Sequence, residues 1–398
     1  MSEPSFPFVR LMPKADARAI RHGAPWVYAN DLVLDRRTKA IAPGSLAILQ
    51  DAAREDLALV AVNPGSKIPV RILDRDLTAK VDQAWIANRL QTALAHRERL
   101  FPEPFYRLIH AEADGFPGVI IDRFGDTAVV QPNAAWADVR IDDLTAALVE
   151  VKGVSNVILN GSGRARELEG LESVSKVMQG QSPSKPIPVP MNGATYMADL
   201  MEGQKTGLFY DQRPNHAFAA SLANGGRVLD VFSHVGGFAL AALAQGATSA
   251  LAVDGSAAAL ELAEQGAAAS GFANSFATRK ADAFAALTQL GEEGETFDVV
   301  ICDPPAFAPS RNALQSGLRA YERVARLAAP LVKDGGYLVL CSCSHAAELS
   351  KFRASCIRGI GRAGRSSQII HTGFAGPDHP LMPQLAESGY LKALFFRL

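Results

Sequence analysis

From Asp199 to the C-terminus, near-continuous apolar runs alternate with alanine-rich helical ones. "GRVLDVF" precedes "GGFALAALAQG", and "SALAVDGS" precedes "AAALELAEQGAAAS". "FDVVICDPP" and "GGYLVLCSCS" are further apolar runs of strand length, and "GYLKALFFRL" reads as a closing strand. A strand that is apolar on both faces must be covered on both. Strands of that kind separated by helices predict a parallel, doubly wound α/β sheet of Rossmann-like type.

The chain before Asp199 has another texture. At 398 residues the protein exceeds what one hydrophobic core usually serves, so two or three domains are expected. Residues 1–75 hold β-like runs, "LAILQDAA", "LALVAVNPGS" and "IPVRIL", broken by Pro, Gly and Asn, with one early helix. A small β-barrel or half-barrel fits them. Residues 76–190 read as an α+β unit. The apolar spacing of 82–100 suits an amphipathic helix, and "YRLIHAEADGFPGVIIDRFGDTAVVQ" reads as three strands joined by glycine turns. "WADVRIDDLTAALVEV" is expected to be helical and "SNVILNG" a strand. "QGQSPSKPIPVPMNG", 179–193, is rich in Pro, Ser and Gly and is the expected linker before a domain at 191–398.

Hydrophobic residues make up 48% and charged residues 20%, and no apolar run approaches membrane-spanning length. The N-terminal stretch lacks a basic start followed by an apolar core, so no secretory signal is expected. These features predict a cytoplasmic protein with no membrane partner, in which thiols stay reduced. A homodimer is compatible with them. Net charge is −1, but residues 1–110 carry 16 Lys and Arg against 12 Asp and Glu, and the remainder is net acidic. A mildly basic N-terminal region is compatible with a nucleic-acid footprint and equally with a solvated face.

In a doubly wound sheet, ligands sit at the carboxyl ends of the strands. Four such ends carry chemistry here. "LDVFSHVGGFAL" places Asp230 before a turn with Gly236 and Gly237, where a ligand can approach the backbone. Asp254, in "LAVDGS", follows roughly 20 residues on, a spacing that suits a carboxylate on ribose hydroxyls. Asp282 follows the next expected strand and could accept from an adenine amino group. Together these ends describe an adenosine pocket. A nicotinamide dinucleotide is disfavoured because "SHVGGF" is not G-x-G-x-x-G. The fourth end, "CDPPAF", sets Asp303 on a rigid Pro-Pro turn, with Phe307 as a stacking surface.

Two of the four cysteines, Cys341 and Cys343, lie in "YLVLCSCSH". Disulfides do not suit the expected compartment. Zinc needs further ligands, and neither Cys302 nor Cys356 makes a second pair; no metal is expected. Small buried core residues remain the simplest alternative.

The set "EGQKTGLFYDQR", "LDVFSHVGGFAL", "AVDGS", "DPPAF" and "CSCSH" resembles the class I S-adenosylmethionine-dependent methyltransferases. More narrowly it resembles the bacterial 23S ribosomal RNA cytosine-5 methyltransferases. "RHGAPWVYANDL" with "PGSLAILQDAARED" is similar to their N-terminal PUA domain. "IHAEADGFPGVIIDRFGD" is similar to their central domain, and "DHPLMPQLAESGYLKALFFRL" to their C-terminal strand pair.

The resemblance implies S-adenosylmethionine as cofactor, RNA as partner and Cys343 as a nucleophile that adds to C6 of the target cytosine. It implies that Asp303 contacts the N3/N4 edge of the flipped base. Lys205, Thr206 and Arg213 are implied near the cofactor carboxylate or an RNA phosphate, with Phe209 and Gln212 packing nearby. Asp230 and Gly236 would lie near the methionine moiety, Asp254 on the ribose and Asp282 on the adenine. The chain departs from its relatives at Gly266, Ser270 and Ala306, and it has no second cysteine just after the Asp-Pro-Pro turn. A methyltransferase of a guanine nitrogen or a protein, with Cys343 structural, is the alternative. A non-catalytic RNA-binding assembly factor is a second.

Overall fold

The computed structural model describes residues 6–398 other than 202 and 204–206, and every side chain among them except that of residue 387. The chain forms two compact units. One contains the chain through Ser184 together with Pro377–Ser388. The other contains Lys185–Asp199, Leu208–Gly376 and Gly389–Leu398.

The first unit holds two five-stranded sheets. The N-terminal sheet runs in the order Phe8–Arg10, Ser45–Gln50, Asp56–Val62, Val70–Asp74, Trp26–Val27. The second runs Val174–Gln179, Asn156–Gly161, Thr127–Pro132, Val119–Phe124, Phe105–His110. The helix expected at 82–100 is found at Gln83–Leu100, capped by Asp82, which accepts from the Trp85 N–H at 3.0 Å. Its buried stripe, Ile86, Leu90, Ala93 and Leu94, packs with Ile48, Leu59 and Leu73 of the first sheet and with Tyr106 and Ile121 of the second. One apolar core therefore serves both sheets.

Two stretches, in this unit and at its end, carry more structure than the sequence reading specifies. "WADVRIDDLTAALVEV" is not one helix but two, Ala135–Val139 and Ile141–Val149, broken at Arg140. The Pro-rich stretch 179–193 contains a strand, Ile187–Met191, paired antiparallel with Ala194–Ala198. Pro188 and Pro190 alternate with buried Val189 on this short hairpin, which has only one partner strand, so their missing donors cost little.

The second unit is built on seven strands: β1 (Arg227–Val231), β2 (Ser249–Asp254), β3 (Phe276–Lys280), β4 (Phe297–Cys302), β5 (Val332–Ser342), β6 (Gln368–Gly373) and β7 (Lys392–Arg397). Their order is β3-β2-β1-β4-β5-β7-β6. Strands β1 to β5 are parallel, and β7 runs antiparallel between β5 and β6. The helices are α1 (Arg213–Ser221), α2 (Gly237–Ala244), α3 (Ala257–Ala269), α4 (Ala283–Glu292), α5 (Leu314–Ala328) and α6 (Leu349–Arg362). Two apolar clusters flank the sheet, one with Leu229, Val300, Leu338 and Phe352, the other with Val228, Val299, Val339 and Phe395. Adjacent residues of the inner strands β1, β4, β5 and β7 enter opposite clusters, which is why their runs are apolar on both faces, while the edge strands β3 and β6 carry exposed residues. Strand order reverses between β1 and β4, so the carboxyl ends of these strands open the crevice where a ligand is expected. No helix among the described residues is long and apolar enough to cross a membrane.

Candidate functional site

The turn from β1 into α2 is strained. Phe232 and His234 have positive φ (63° and 50°), as does Gly236 (79°). The first two are conformations that side-chain-bearing residues seldom adopt. Neighbours hold the turn in place. The Ser233 N–H donates to Val253 O at 3.1 Å, and the His234 N–H donates to Asp254 Oδ2 at 2.9 Å. Gly237 faces His216, and a Cβ there would lie 2.7 Å from the imidazole Cε1 and Nε2. The two glycines therefore have separate reasons: backbone sign at Gly236, ring contact at Gly237.

Asp230 is fully buried in β1. Its Oδ2 accepts from the Ala239 N–H at 3.0 Å, at the start of α2, while Oδ1 has no partner among the described residues. Burial pushes this carboxyl up to about 7, and the neighbouring Asp254 charge adds to the shift. Ser233 Oγ is also buried without a partner. Asp254 ends β2, and its Oδ1 accepts from the Ser256 N–H at 2.8 Å. Asp282 caps α4, accepting from the Ala285 N–H at 3.0 Å, and is exposed.

Asp303 follows β4, and its N–H donates to Val231 O at 3.1 Å, tying it to the end of β1. Gln212 was expected to pack beside a cofactor. It is buried, and its Nε2 donates to Asp303 Oδ2 at 2.9 Å. Asn215 Nδ2 donates in turn to Gln212 Oε1 at 2.7 Å, which fixes the orientation of the Gln212 amide. Phe209 meets His234 edge-on, with ring centroids 5.0 Å apart, and the Arg213 guanidinium lies 5.3 Å from the Tyr210 ring centre. Phe307, expected as a stacking surface, is largely occupied from within by Phe232, Phe284 and Tyr321. Lys205 and Thr206 lie outside the described residues.

Three of the four cysteines, Cys302, Cys341 and Cys356, are buried, and burial raises each thiol pKa. Cys343 is partly exposed, one residue past the end of β5. The serines on either side of it are buried and bonded to one phenol. Ser342 Oγ donates to Tyr321 Oη at 2.8 Å, and Tyr321 Oη lies 2.8 Å from Ser344 Oγ. Ser344 Oγ also accepts from the Ala308 N–H at 3.0 Å, joining the cysteine loop to the Asp-Pro-Pro loop. Lys392 of β7 stands opposite Ser342, and its Nζ donates to Ser344 O (2.7 Å) and Ala347 O (3.0 Å).

The sheet thus gathers Asp230, Asp254, Asp303 and Cys343 at the carboxyl ends of β1, β2, β4 and β5, with Asp282 just beyond β3. Asn215, His216, Tyr321 and Lys392 were missed by sequence reasoning. For Lys392 a signal existed: it is the one charge inside the otherwise apolar run "GYLKALFF". No group of three or more His, Cys, Asp or Glu among the described residues is placed to hold a metal ion.

A family model for S-adenosylmethionine-dependent methyltransferase matches residues 171–397, and one for a PUA-like domain matches residues 9–75. The chain is 34% identical to the "Ribosomal RNA large subunit methyltransferase I" of Shewanella denitrificans, over 98% of this chain and 99% of the relative. It is 34% identical to the "Ribosomal RNA large subunit methyltransferase" of Deinococcus radiodurans, with both chains fully covered. Among solved structures, a SAM-dependent methyltransferase from Streptococcus mutans superimposes with a TM-score of 0.83 at 20% identity, over 98% of this chain and all of the other. A methyltransferase solved in complex with SAH superimposes equally well, at 0.83 and 20% identity, over 98% and 99% of the two chains. At that identity the structural likeness speaks to the fold alone.

Proposed function

The chain belongs to the S-adenosylmethionine-dependent methyltransferase family, and on that premise we propose that it forms 5-methylcytosine in 23S ribosomal RNA through a covalent adduct at Cys343. The observation that carries the proposal is the contrast among the cysteines. Three are buried in the apolar core, and Cys343 alone of the four is partly exposed, one residue past a strand that pairs with the strand preceding Asp303. The ribosomal RNA named for the relatives supports the substrate class. It also supports a cytoplasmic place of action and a role for the PUA-like segment, residues 9–75, in holding RNA.

The residues present fit the cofactor. Asp230 Oδ1 and Ser233 Oγ are buried polar atoms without partners among the described residues, at a turn whose backbone Gly236 leaves open. Such orphans are costly unless a ligand satisfies them. Asp254 would take the ribose and Asp282 the adenine, with Arg213, Lys205 and Thr206 for the cofactor carboxylate or an RNA phosphate and Phe209 packing nearby. When bound, S-adenosylmethionine supplies an electrophilic methyl group.

C5 of cytosine is a weak nucleophile. The Cys343 thiolate adds to C6, forming an S–C6 bond and giving C5 enamine character. Asp303, held by Gln212, accepts from the N4 amino edge and orients the base. After C5 is methylated, a base removes the C5 proton. The electron pair re-forms the C5–C6 double bond and expels the thiolate. RNA bearing 5-fluorocytosine tests this, because C5 then has no proton to lose and elimination stalls. A stable adduct mapped to Cys343 is expected, with neither adduct nor turnover in Cys343→Ala. Full turnover in Cys343→Ala would overturn the proposal in favour of a different target atom.

A further inference from the structure

Lys392 has an unusual position for a lysine. It lies within β7, is only 4% exposed, and has apolar neighbours along the strand. Its Nζ donates to two backbone carbonyls, Ser344 O and Ala347 O. Among the described residues no carboxylate lies within ion-pair distance of it. A buried ammonium with only neutral partners is costly, and the cost is relieved when an anion forms nearby.

The carbonyls that hold Nζ belong to the loop that carries Cys343, and one of them is that of the next residue. We propose that Lys392 is the fixed counter-charge of the Cys343 thiolate, and so a positioning residue for attack on the base. The inference rests on the reading of Cys343 as nucleophile. Among the described residues on the elements beside Cys343, no other titratable side chain is a buried cation. From α5 comes Tyr321, whose phenol burial keeps protonated. From the end of β4 comes Asp303, which as a carboxylate would oppose the thiolate. The cysteine's own loop offers His345 and Glu348, and His345 is exposed.

The effect on Lys392 agrees in sign. Burial pulls its ammonium down to about 8, and the Cys343 charge acts in the opposite direction, holding the proton on. In the proposed pair Lys392 is the ammonium and Cys343 the thiolate, the thiol proton having gone to solvent. Two things follow for the site. The nucleophile is ready before the base arrives, and the loop that carries it is anchored by the group that ionises it.

Alkylation by iodoacetamide across pH, with peptide mass mapping, reads the ionisation of Cys343 separately from methyl transfer. The three buried cysteines are poor competitors. The wild-type protein should alkylate at Cys343 with a midpoint about one unit or more below the ordinary thiol value near 8.5. Lys392→Met should raise that midpoint by about one unit or more, slowing alkylation at neutral pH about tenfold. Lys392→Arg should retain the low midpoint. A wild-type midpoint at or above the ordinary value would overturn the inference, and needs no variant to fold. Superimposable profiles for wild type and Lys392→Met would do the same. Failure of the nucleophile reading shows elsewhere, as methyl transfer that survives Cys343→Ala.

Discussion

The Tyr321 hydroxyl lies 2.8 Å from Ser344 Oγ and takes a second hydrogen bond from Ser342, so one phenol clamps both neighbours of Cys343. All three hydroxyls are buried. The clamp explains why the cysteine is flanked by serine on both sides. A strand that ends at Ser342 would otherwise release its next residues, and the position of the thiol with them.

Tyr321→Phe tests the clamp. It removes one buried hydroxyl and leaves Ser342 and Ser344 each short of a partner, at a cost of about 1–3 kcal/mol in stability. Methyl transfer should fall, because the thiol is no longer held. Cofactor affinity should stay unchanged, because the residues that Tyr321 meets, Ser342, Ser344, Phe307 and Phe352, include none assigned to the cofactor. Thermal unfolding, titration calorimetry and RNA methylation measure the three effects. Undiminished transfer in a folded Tyr321→Phe would remove the clamp from the mechanism.

Asn215, Gln212 and Asp303 form a second chain of contacts. Gln212→Glu replaces the donor to Asp303 with a second carboxyl group. Two carboxylates at hydrogen-bond distance cannot both ionise easily, so one proton should be held up to higher pH. The activity profile of Gln212→Glu should gain a new acidic limb shifted upward from that of wild type. A profile of unchanged shape would show that Asp303 is not the group whose ionisation matters.

The strand pattern made the α/β fold legible, because burial on both faces leaves a strand no polar positions. The exceptions were equally informative: Asp230, Asp254 and Asp303 stood out as charges at the ends of apolar runs. What was not legible was the layer behind them. His216, Asn215 and Tyr321 lie on helices, where a polar residue on a buried face looks like ordinary amphipathic variation. Their partners are far off in sequence, as Asn215 and Phe374 show with a hydrogen bond of 3.2 Å. In the Pro-rich stretch 179–193 the two units divide after Ser184, and only the hairpin that follows was not legible: composition marks where a chain can turn, not whether a short hairpin finds a place. The resemblance sets 378–398 in a C-terminal strand pair, but Pro377–Ser388 belongs to the first unit and only Lys392–Arg397 of this stretch is a strand. Pro377–Ser388 joins the first unit through Asp378, whose backbone carbonyl accepts from Arg97 and whose Oδ2 accepts from the Arg107 N–H, each at 3.0 Å.

Gly237 and His216 make a pair suited to a double-mutant cycle. Gly237→Ala puts a methyl group against the imidazole and should cost about 1–3 kcal/mol through overpacking. His216→Ala alone should also destabilise, by opening a cavity among Tyr196, Phe238 and the turn. The double variant should be more stable than the sum of the two costs implies, because the added methyl group then meets open space. Chemical denaturation of the four proteins reads the coupling. Additive costs would mean that the ring does not determine the glycine.

Asp230 gives a prediction in which stability and binding move in opposite directions. Its folded value, about 7, lies above the ordinary carboxylate value, so between about pH 4 and 7 the folded chain keeps a proton that the unfolded chain has lost. Its contribution to stability is therefore fully present near pH 4 and is lost as pH rises through 7. Asn at this position carries no charge to bury, and its side-chain oxygen can still accept from the Ala239 N–H. Cofactor-free Asp230→Asn should melt level with wild type near pH 4 and higher than wild type at pH 8, by up to a few kcal/mol in free energy. Cofactor affinity at pH 8 should fall in the same variant, because the unpartnered carboxylate oxygen assigned to the ligand is gone. Melting curves across pH, with calorimetric titration at pH 8, test both halves. A variant less stable than wild type at pH 8 would show that the buried carboxylate is compensated within the folded chain. Unchanged affinity would place the cofactor away from β1.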